Sequence, residues 1–189
     1  PGDHILHHSF DARPDLLAGD IDYAGEKTMC ALQVAVELLN QTEGYSNYDK
    51  FQQGAGMITT VIRKARAHVA QRALDFAEEY KNDSVIYTMG SGAGYGAAYM
   101  ESICIFMEMQ WIHSGTIHTG EFFHGPFEVT DANPPFVIQV SEGSTRELDA
   151  RCLKFLHTYA KRIEVLDAKE LGLSVFDPAV GDYLNHSEF

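Results

Sequence analysis

The stretch Ser84-Val85-Ile86-Tyr87-Thr88-Met89, followed by Gly90-Ser91-Gly92-Ala93-Gly94-Tyr95-Gly96, decides the fold of this chain of 189 residues. The first part is a short apolar run with β-branched side chains, which predicts a buried strand. The second part is rich in glycine and predicts a loop, and an apolar helix is expected from Ala97 to Met109. A strand that leads through a loop into a helix is typical of a parallel sheet.

Strands and helices continue to alternate downstream of this stretch. Strands are predicted at 115–118, 136–140 and 162–166, and helices at 121–124, 145–160 and 168–171. Upstream, apolar residues recur at spacings of three and four, which predicts helices over 23–41 and 49–82. We therefore predict an α/β fold, in which a doubly wound parallel sheet is flanked by helices and preceded by a helical arm.

Three parts of the chain follow from this pattern. Residues 1–22 lack periodicity and are expected to be a linker or the tail of a preceding domain. Residues 23–82 are expected to form the helical arm, and residues 83–189 the α/β domain. Because the sequence begins at Pro1 and ends without an obvious stop, we expect it to be a piece of a longer protein.

The composition excludes several classes of function. A net charge of −13 argues against binding to nucleic acid or to an anionic membrane. No apolar run approaches the length of a membrane span and no signal peptide is visible, which predicts a cytoplasmic location. Cys30, Cys104 and Cys152 are odd in number and widely spaced, which predicts buried free thiols in a reducing compartment.

The helix predicted at 97–109 is apolar on nearly all sides. Such a helix has no face for solvent and is expected in a core or in a subunit interface. We favour the interface, and therefore predict a homodimer or a larger homo-oligomer.

Glu108 and His124 are the predicted catalytic residues. Glu108 ends the apolar helix, and its apolar neighbours Met107 and Met109 are expected to raise its pKa toward neutrality, which suits proton abstraction beside a carbonyl. His124 lies in Gly120-Glu121-Phe122-Phe123-His124-Gly125-Pro126, where the last two residues force a turn. The alternative interpretations are a solvated carboxylate at a helix end and a histidine that only stabilises its turn.

The glycine-rich segment is the predicted substrate-binding element. It joins a strand to a helix, where backbone N–H groups face a ligand, so we predict that Ser91, Gly92 and Tyr95 bind substrate. The alternative is a tight turn that needs small residues. The dinucleotide-binding fingerprint G-x-G-x-x-G would need its third glycine at position 95, where this chain has Tyr95. No cofactor is therefore predicted. A metal site is a weaker alternative, because the spacing does not match a helical zinc motif; its candidate ligands are His113, His118, Glu121 and His124.

These motifs resemble the second sugar-isomerase (SIS) domain of phosphosugar-processing enzymes. The isomerase half of glucosamine-6-phosphate synthase is similar in carrying a glutamate followed sixteen residues later by the histidine of E-x-x-H-G-P, as Glu108 and His124 are here. A fuller resemblance, from Gly25 to Ser187, is to the fructosamine-6-phosphate deglycases. It includes Ile103-Cys104-Ile105-Phe106-Met107-Glu108-Met109-Gln110-Trp111-Ile112-His113.

The resemblance implies a substrate, a mechanism and a shared site. The substrate would be a conjugate of a sugar phosphate with an amino acid, such as fructoselysine 6-phosphate. Glu108 would move a proton from C1 to C2, hydrolysis of the resulting imine would release glucose 6-phosphate and the amino acid, and His124 would assist ring opening from the neighbouring subunit. Glu121 is expected to be a scaffold residue of the turn.

The resemblance also implies that the chain is catalytically incomplete. The stretch that corresponds to the phosphate loop of SIS domains is Val140-Ser141-Glu142-Gly143-Ser144-Thr145. It has valine where the family has its first serine. It also has a carboxylate at Glu142, which repels phosphate. We therefore expect the phosphate to be held by a first SIS domain outside this sequence. Two other functions stay open: an aldose–ketose or amino-sugar phosphate isomerase, and a non-catalytic phosphosugar-binding module.

Overall fold

A computed structural model describes residues 27–184. Four strands form one sheet in the order β2-β1-β3-β4, and every neighbouring pair is parallel. The strands are β1 (Val85–Gly90), β2 (His113–His118), β3 (Phe136–Val140) and β4 (Ile163–Asp167). The parallel sheet flanked by helices confirms the predicted α/β fold class. The linker or tail predicted at 1–22 lies outside the described residues.

Helices connect and cover the strands. They are α1 (Lys27–Glu43), α2 (Tyr48–Tyr80), α3 (Gly92–Met100), α4 (Arg146–Tyr159) and α5 (Pro178–Leu184). Helix α3 continues directly into a π-helical segment, Glu101–Met109. Short 3₁₀ turns lie at Phe122–His124, Pro126–Val129 and Leu173–Val175.

Two predicted elements differ from the structure. The glycine-rich segment is not a loop: helix α3 begins at Gly92, five residues before the predicted start, because small residues let the helix approach the end of β1 closely. A Cβ atom at Gly90 would lie 3.1 Å from the backbone of Gly94. The helix predicted at 168–171 is a turn, because Ala168 N donates to Val140 O of β3 and Lys169 N donates to the side chain of Asp167.

Three apolar clusters hold the layers together. One lies between α1, α2 and the C-terminal segment and includes Phe51, Ile58 and Val180. The second packs α4 and the turn at 122–124 against the sheet, and the third packs the end of α2 and Phe106 against β1 and β3. The described part of the arm is therefore packed against the α/β layer.

The three cysteines form no disulfide with one another, but their burial differs from the prediction. Cys152 is fully buried, Cys104 is half-buried and Cys30 is exposed. Burial raises the pKa of the Cys152 thiol to about 12, so this thiol stays protonated and unreactive near neutral pH.

Candidate active site

The carboxyl ends of β1, β2 and β3 meet at one edge of the sheet. Ser91 follows β1, Thr119 follows β2 and Ser141 follows β3. All three side chains are buried, with exposed fractions of 2% or less. This edge is where open parallel sheets bind ligands, so these residues define the base of one half of the candidate site.

Asp149 of helix α4 joins the three strand ends. Its Oδ1 accepts hydrogen bonds from Ser91 Oγ at 2.5 Å and from Thr119 Oγ1 at 2.7 Å. Its Oδ2 accepts from both the backbone N–H and the Oγ of Ser141, each at 2.9 Å. Sequence reasoning missed this residue. The available signal was its spacing from Cys152 and Leu156, which lie on the same buried face of α4.

The three predicted substrate-binding residues lie close together at this edge, in different environments. The hydroxyl of Ser91 is buried and engaged with Asp149, so its side chain acts from inside the fold. Gly92 is exposed and has φ +53°, and a Cβ atom there would lie 2.6 Å from Thr145 Oγ1. This position therefore requires glycine. The substrate-binding role of Ser91, Gly92 and Tyr95 stays a prediction.

His118 is a candidate residue that the sequence argument considered only for metal binding. It ends β2, and its ring centroid lies 5.0 Å from that of Tyr95. Its Nδ1 accepts a hydrogen bond from Gly120 N at 3.0 Å. A neutral ring held in this way carries its proton on Nε2. The imidazole therefore links the start of α3 to the turn that follows β2.

His124 lies on that turn, and its side chain is exposed. The turn is anchored because Phe122 is fully buried, and Phe123 packs edge-on against Phe155 of α4 with a centroid distance of 5.5 Å. The guanidinium of Arg151 lies 4.1 Å from the centroid of the Phe123 ring. A fixed turn thus presents a solvent-accessible imidazole at the carboxyl edge of the sheet.

Glu108 lies at the opposite edge. The chain crosses from the carboxyl end of β1 through α3 and the π-helical segment to the amino end of β2. Ile112 N, just before β2, donates to Phe106 O at 2.9 Å, which fixes the end of the π-helical segment there. The six residues of β2 then span roughly 20 Å to the turn that carries His124.

The apolar neighbours of Glu108 do not cover it in this chain. Its side chain is exposed, because Phe106 faces the core and a residue two positions later in a helix lies on the opposite side. Its apolar neighbours are also exposed, to 39% for Met107 and 45% for Met109, and Trp111 is 64% exposed. The carboxylate therefore lies within an apolar surface.

Glu101, seven residues earlier, has a half-buried side chain. Burial raises its pKa to about 7, while a hydrogen bond from Gln139 Nε2 at 3.3 Å acts in the opposite direction. Glu101 lines a cavity of about 240 Å³ between α2, the π-helical segment and the sheet, together with apolar side chains and the charged residues Arg72 and Glu164.

Two carboxylates of this chain, those of Asp182 and Glu142, lie at the loop that follows β3. Ser144 donates its backbone N–H and its hydroxyl to Asp182, at 3.3 and 3.2 Å. The hydroxyl of Ser174 donates its one hydrogen to the carboxylate of Glu142, whose two oxygens lie 2.6 and 2.8 Å from Ser174 Oγ. Arg146, the cation beside the loop, forms a bidentate pair with Asp167 at 2.7 and 2.8 Å. These contacts leave the loop poorly suited to a phosphate.

The part of the chain that the structure describes gives no support to a metal centre. Within residues 27–184, no three histidine, cysteine or acidic side chains are arranged to hold an ion, and His113, His118, Glu121 and His124 do not form such a group. In the same residues, no helix combines the length and the apolar character needed to cross a bilayer.

Comparison with known proteins supports the resemblance seen in the sequence. Fructosamine deglycase FrlB of Bacillus subtilis is 43% identical over 152 residues, which are 80% of this chain and 46% of that protein. Fructoselysine 6-phosphate deglycase of Escherichia coli is 31% identical over 87 residues, which are 46% of this chain and 26% of that protein. No family model matches the chain.

Solved structures of other proteins have the same fold as this chain. A protein of Salmonella typhimurium assigned as a phosphosugar isomerase has a TM-score of 0.86 and 42% identity, over 90% of this chain and 52% of its own. The C-terminal domain of glucosamine-fructose-6-phosphate aminotransferase from Francisella tularensis has a TM-score of 0.66 and 16% identity, over 85% and 49%, and shares the fold. The chain is thus homologous to the deglycases and has an SIS-type fold, and it spans about half the length of the Bacillus subtilis deglycase and of the Salmonella typhimurium protein.

Proposed function

We propose that this chain is the proton-transfer half of a phosphosugar deglycase, which converts a ketosamine 6-phosphate into glucose 6-phosphate and a free amino acid. The observation that carries the proposal is the placement of Glu108 and His124. Both side chains are exposed, each on an anchored element, in a chain homologous to a fructosamine deglycase over 80% of its length.

The reaction requires one carbon acid to be deprotonated and one water to be consumed. His124 assists opening of the sugar ring by proton transfer to the ring oxygen. Glu108 then removes a proton from C1 of the open ketosamine and returns it to C2, while the N–H proton of the amine passes to O2. These transfers convert the C1 amine and the C2 ketone into a C1 imine and a C2 hydroxyl. Water adds to the imine, and the C–N bond breaks to give the aldehyde and the amine. General acid–base chemistry is sufficient for these steps.

The active site is proposed to be shared between two copies of the chain. Glu108 and His124 lie at opposite edges of one sheet, separated by roughly the 20 Å length of β2, which exceeds the reach of one small substrate. The exposed apolar side chains around Glu108 form a surface suited to a second copy, since patches of this kind mark interaction sites. Burial in that contact would give Glu108 the apolar surroundings that a carbon-acid base needs.

The 6-phosphate is proposed to be held by the rest of the protein. The loop after β3 is occupied by Asp182, and Glu142 adds a second carboxylate. Both repel a phosphate dianion, and Arg146 is paired with Asp167. A first SIS domain outside this sequence is the candidate for the phosphate site.

The test is turnover by the full-length protein in D₂O. We expect glucose 6-phosphate to be released with deuterium at C2, because the base exchanges its proton with solvent before returning it. Glu108→Gln should lower kcat at least about 1,000-fold, since an amide cannot remove the proton. Glu121→Gln, an exposed carboxylate on the His124 turn, is the matched control and should retain most of the activity.

The same experiment distinguishes the alternatives. An isomerase would give a product that retains the amine, and a binding module would bind the substrate without deuterium incorporation. Full deglycase activity from residues 1–189 alone would contradict the proposal that the phosphate site lies elsewhere.

A further inference from the structure

We infer that Asp149 is a positioning residue of the active site, whose carboxylate holds the segments after three strands in fixed relative positions. The inference rests on the proposed function, because it concerns the half of the site that carries His124. Asp149 is fully buried and acts through Ser91, Thr119 and Ser141.

Each of the three partners begins a segment of the candidate site. Ser91 precedes the start of α3, where Gly92 and Tyr95 lie. Thr119 precedes the turn with His124, and Ser141 begins the loop that follows β3. One carboxylate therefore sets the spacing between the predicted substrate-binding residues and the predicted acid–base histidine.

Asp149 is rigid enough for this role. It is fully buried, and on the same face of α4 Cys152 and Leu156 are fully buried in the core. A carboxylate in such surroundings is costly to bury unless its oxygens are satisfied, and here each oxygen accepts two hydrogen bonds. Networks of this kind hold one geometry strongly, because any displaced donor loses its partner.

The chemistry of the four donors predicts what an amide would do. The backbone N–H of Ser141 can only donate, so the oxygen of an asparagine must stay on that side. Its NH₂ group would then face Ser91 Oγ and Thr119 Oγ1, which now donate to Oδ1. Both hydroxyls would have to rotate and accept, which loosens the ends of β1 and β2 and leaves the end of β3 in place.

The experiment uses the full-length protein and three isosteric variants. Asp149→Asn tests the carboxylate, and Thr119→Val removes one donor without a change of shape. Thr88→Val is the matched control: Thr88 is equally buried on β1, but its hydroxyl donates to Ala98 O at 2.8 Å, away from Asp149. The readouts are kcat and KM for a ketosamine 6-phosphate, and hydrogen exchange of peptides that cover 119–125.

We expect Asp149→Asn and Thr119→Val to lower kcat by roughly 10–100-fold, because small misplacements of catalytic groups have effects of this size. KM should rise by a smaller factor than kcat falls, since the phosphate is proposed to be held by the rest of the protein, and Thr88→Val should change kcat less than about twofold. Hydrogen exchange at 119–125 should accelerate in the first two variants only.

Several results would overturn the inference. Equal effects of Thr119→Val and Thr88→Val on kcat would mean a general structural role, and this comparison decides the matter even if Asp149→Asn does not fold. If the wild-type protein is active and Asp149→Asn leaves kcat unchanged, this inference is contradicted and the proposed function is not. A wild type that releases no glucose 6-phosphate contradicts the proposed function, and the inference with it.

Discussion

At the scale of single residues, the ionisation of Glu101 opposes folding. Its pKa rises from the ordinary 4.5 to about 7 because the folded chain buries the carboxyl group beside apolar side chains. The folded state then binds more protons than the unfolded state between pH 4.5 and 7, so stability falls as the pH rises through this window. Above pH 7 the full cost is present, at most about 3 kcal/mol.

The first prediction is that Glu101→Gln stabilises the protein at pH 8 and has little effect at pH 4.5. The amide keeps the size of the side chain and cannot ionise, so the pH dependence between 4.5 and 7 should flatten. Urea unfolding at several pH values measures the free-energy difference. Glu128→Gln, at an exposed carboxyl, is the control and should leave the pH dependence unchanged. An equal effect of Glu101→Gln at both pH values would contradict the assignment.

At the scale of elements, Arg162 ties the end of α2 and the start of β1 to β4. Its guanidinium forms a bidentate pair with Asp83, with both N–O distances at 2.6 Å. It also donates to Asn133 O at 3.0 Å and lies 4.7 Å from the centroid of the Tyr80 ring. Both charged side chains are largely shielded from water, at 27% and 20% exposure, so this pair resists screening better than a surface pair.

The second prediction compares this pair with an exposed one. Asp83→Asn should lower the free energy of unfolding by about 1–2 kcal/mol, because it removes a charge-assisted bidentate contact. Glu78→Gln, which breaks the exposed Glu78–Lys81 pair, should cost less than about 0.5 kcal/mol. Chemical denaturation of both variants at the same pH measures the two values. Equal losses would mean that the partial burial of the Arg162 pair has no energetic consequence.

The buried strand β3 was predicted with its correct bounds. It lies at 136–140, because a strand buried on both faces of a parallel sheet is a nearly continuous apolar run, which Gln139 alone interrupts here. The start of α3 was missed because glycine is normally read as a helix breaker, whereas here small residues are needed for close packing against β1. The π-helical segment has no signal in the hydrophobic pattern alone.

The candidate site was predicted in part for the same reason. Residue types and local motifs indicated Glu108, His124 and the segment at 91–95, since their chemistry is visible in the sequence. The network around Asp149 joins residues as far apart as 58 positions, so it depends on the sheet topology. The separation of Glu108 from His124 also follows from topology, because a crossover helix runs from one edge of the sheet to the other.

At the scale of the whole molecule, that separation predicts complementation between two inactive variants. If each active site combines Glu108 of one copy with His124 of another, a mixed dimer of Glu108→Gln and His124→Ala contains one intact site and one doubly altered site. With random pairing, half of the dimers are mixed, so co-expression should restore roughly a quarter of the wild-type deglycase activity. Either variant expressed alone should be nearly inactive.

The measurement is glucose 6-phosphate release by full-length protein that is purified through two different affinity tags. This purification selects mixed dimers and should raise the restored activity to about half of the wild-type activity. Co-expression of Glu108→Gln with a Glu108→Gln, His124→Ala double variant is the control, because it assembles equally well but contains no intact Glu108. If the tagged mixture is as inactive as that control, Glu108 and His124 do not act together across the contact between copies, and the apolar surface around Glu108 faces another part of the protein.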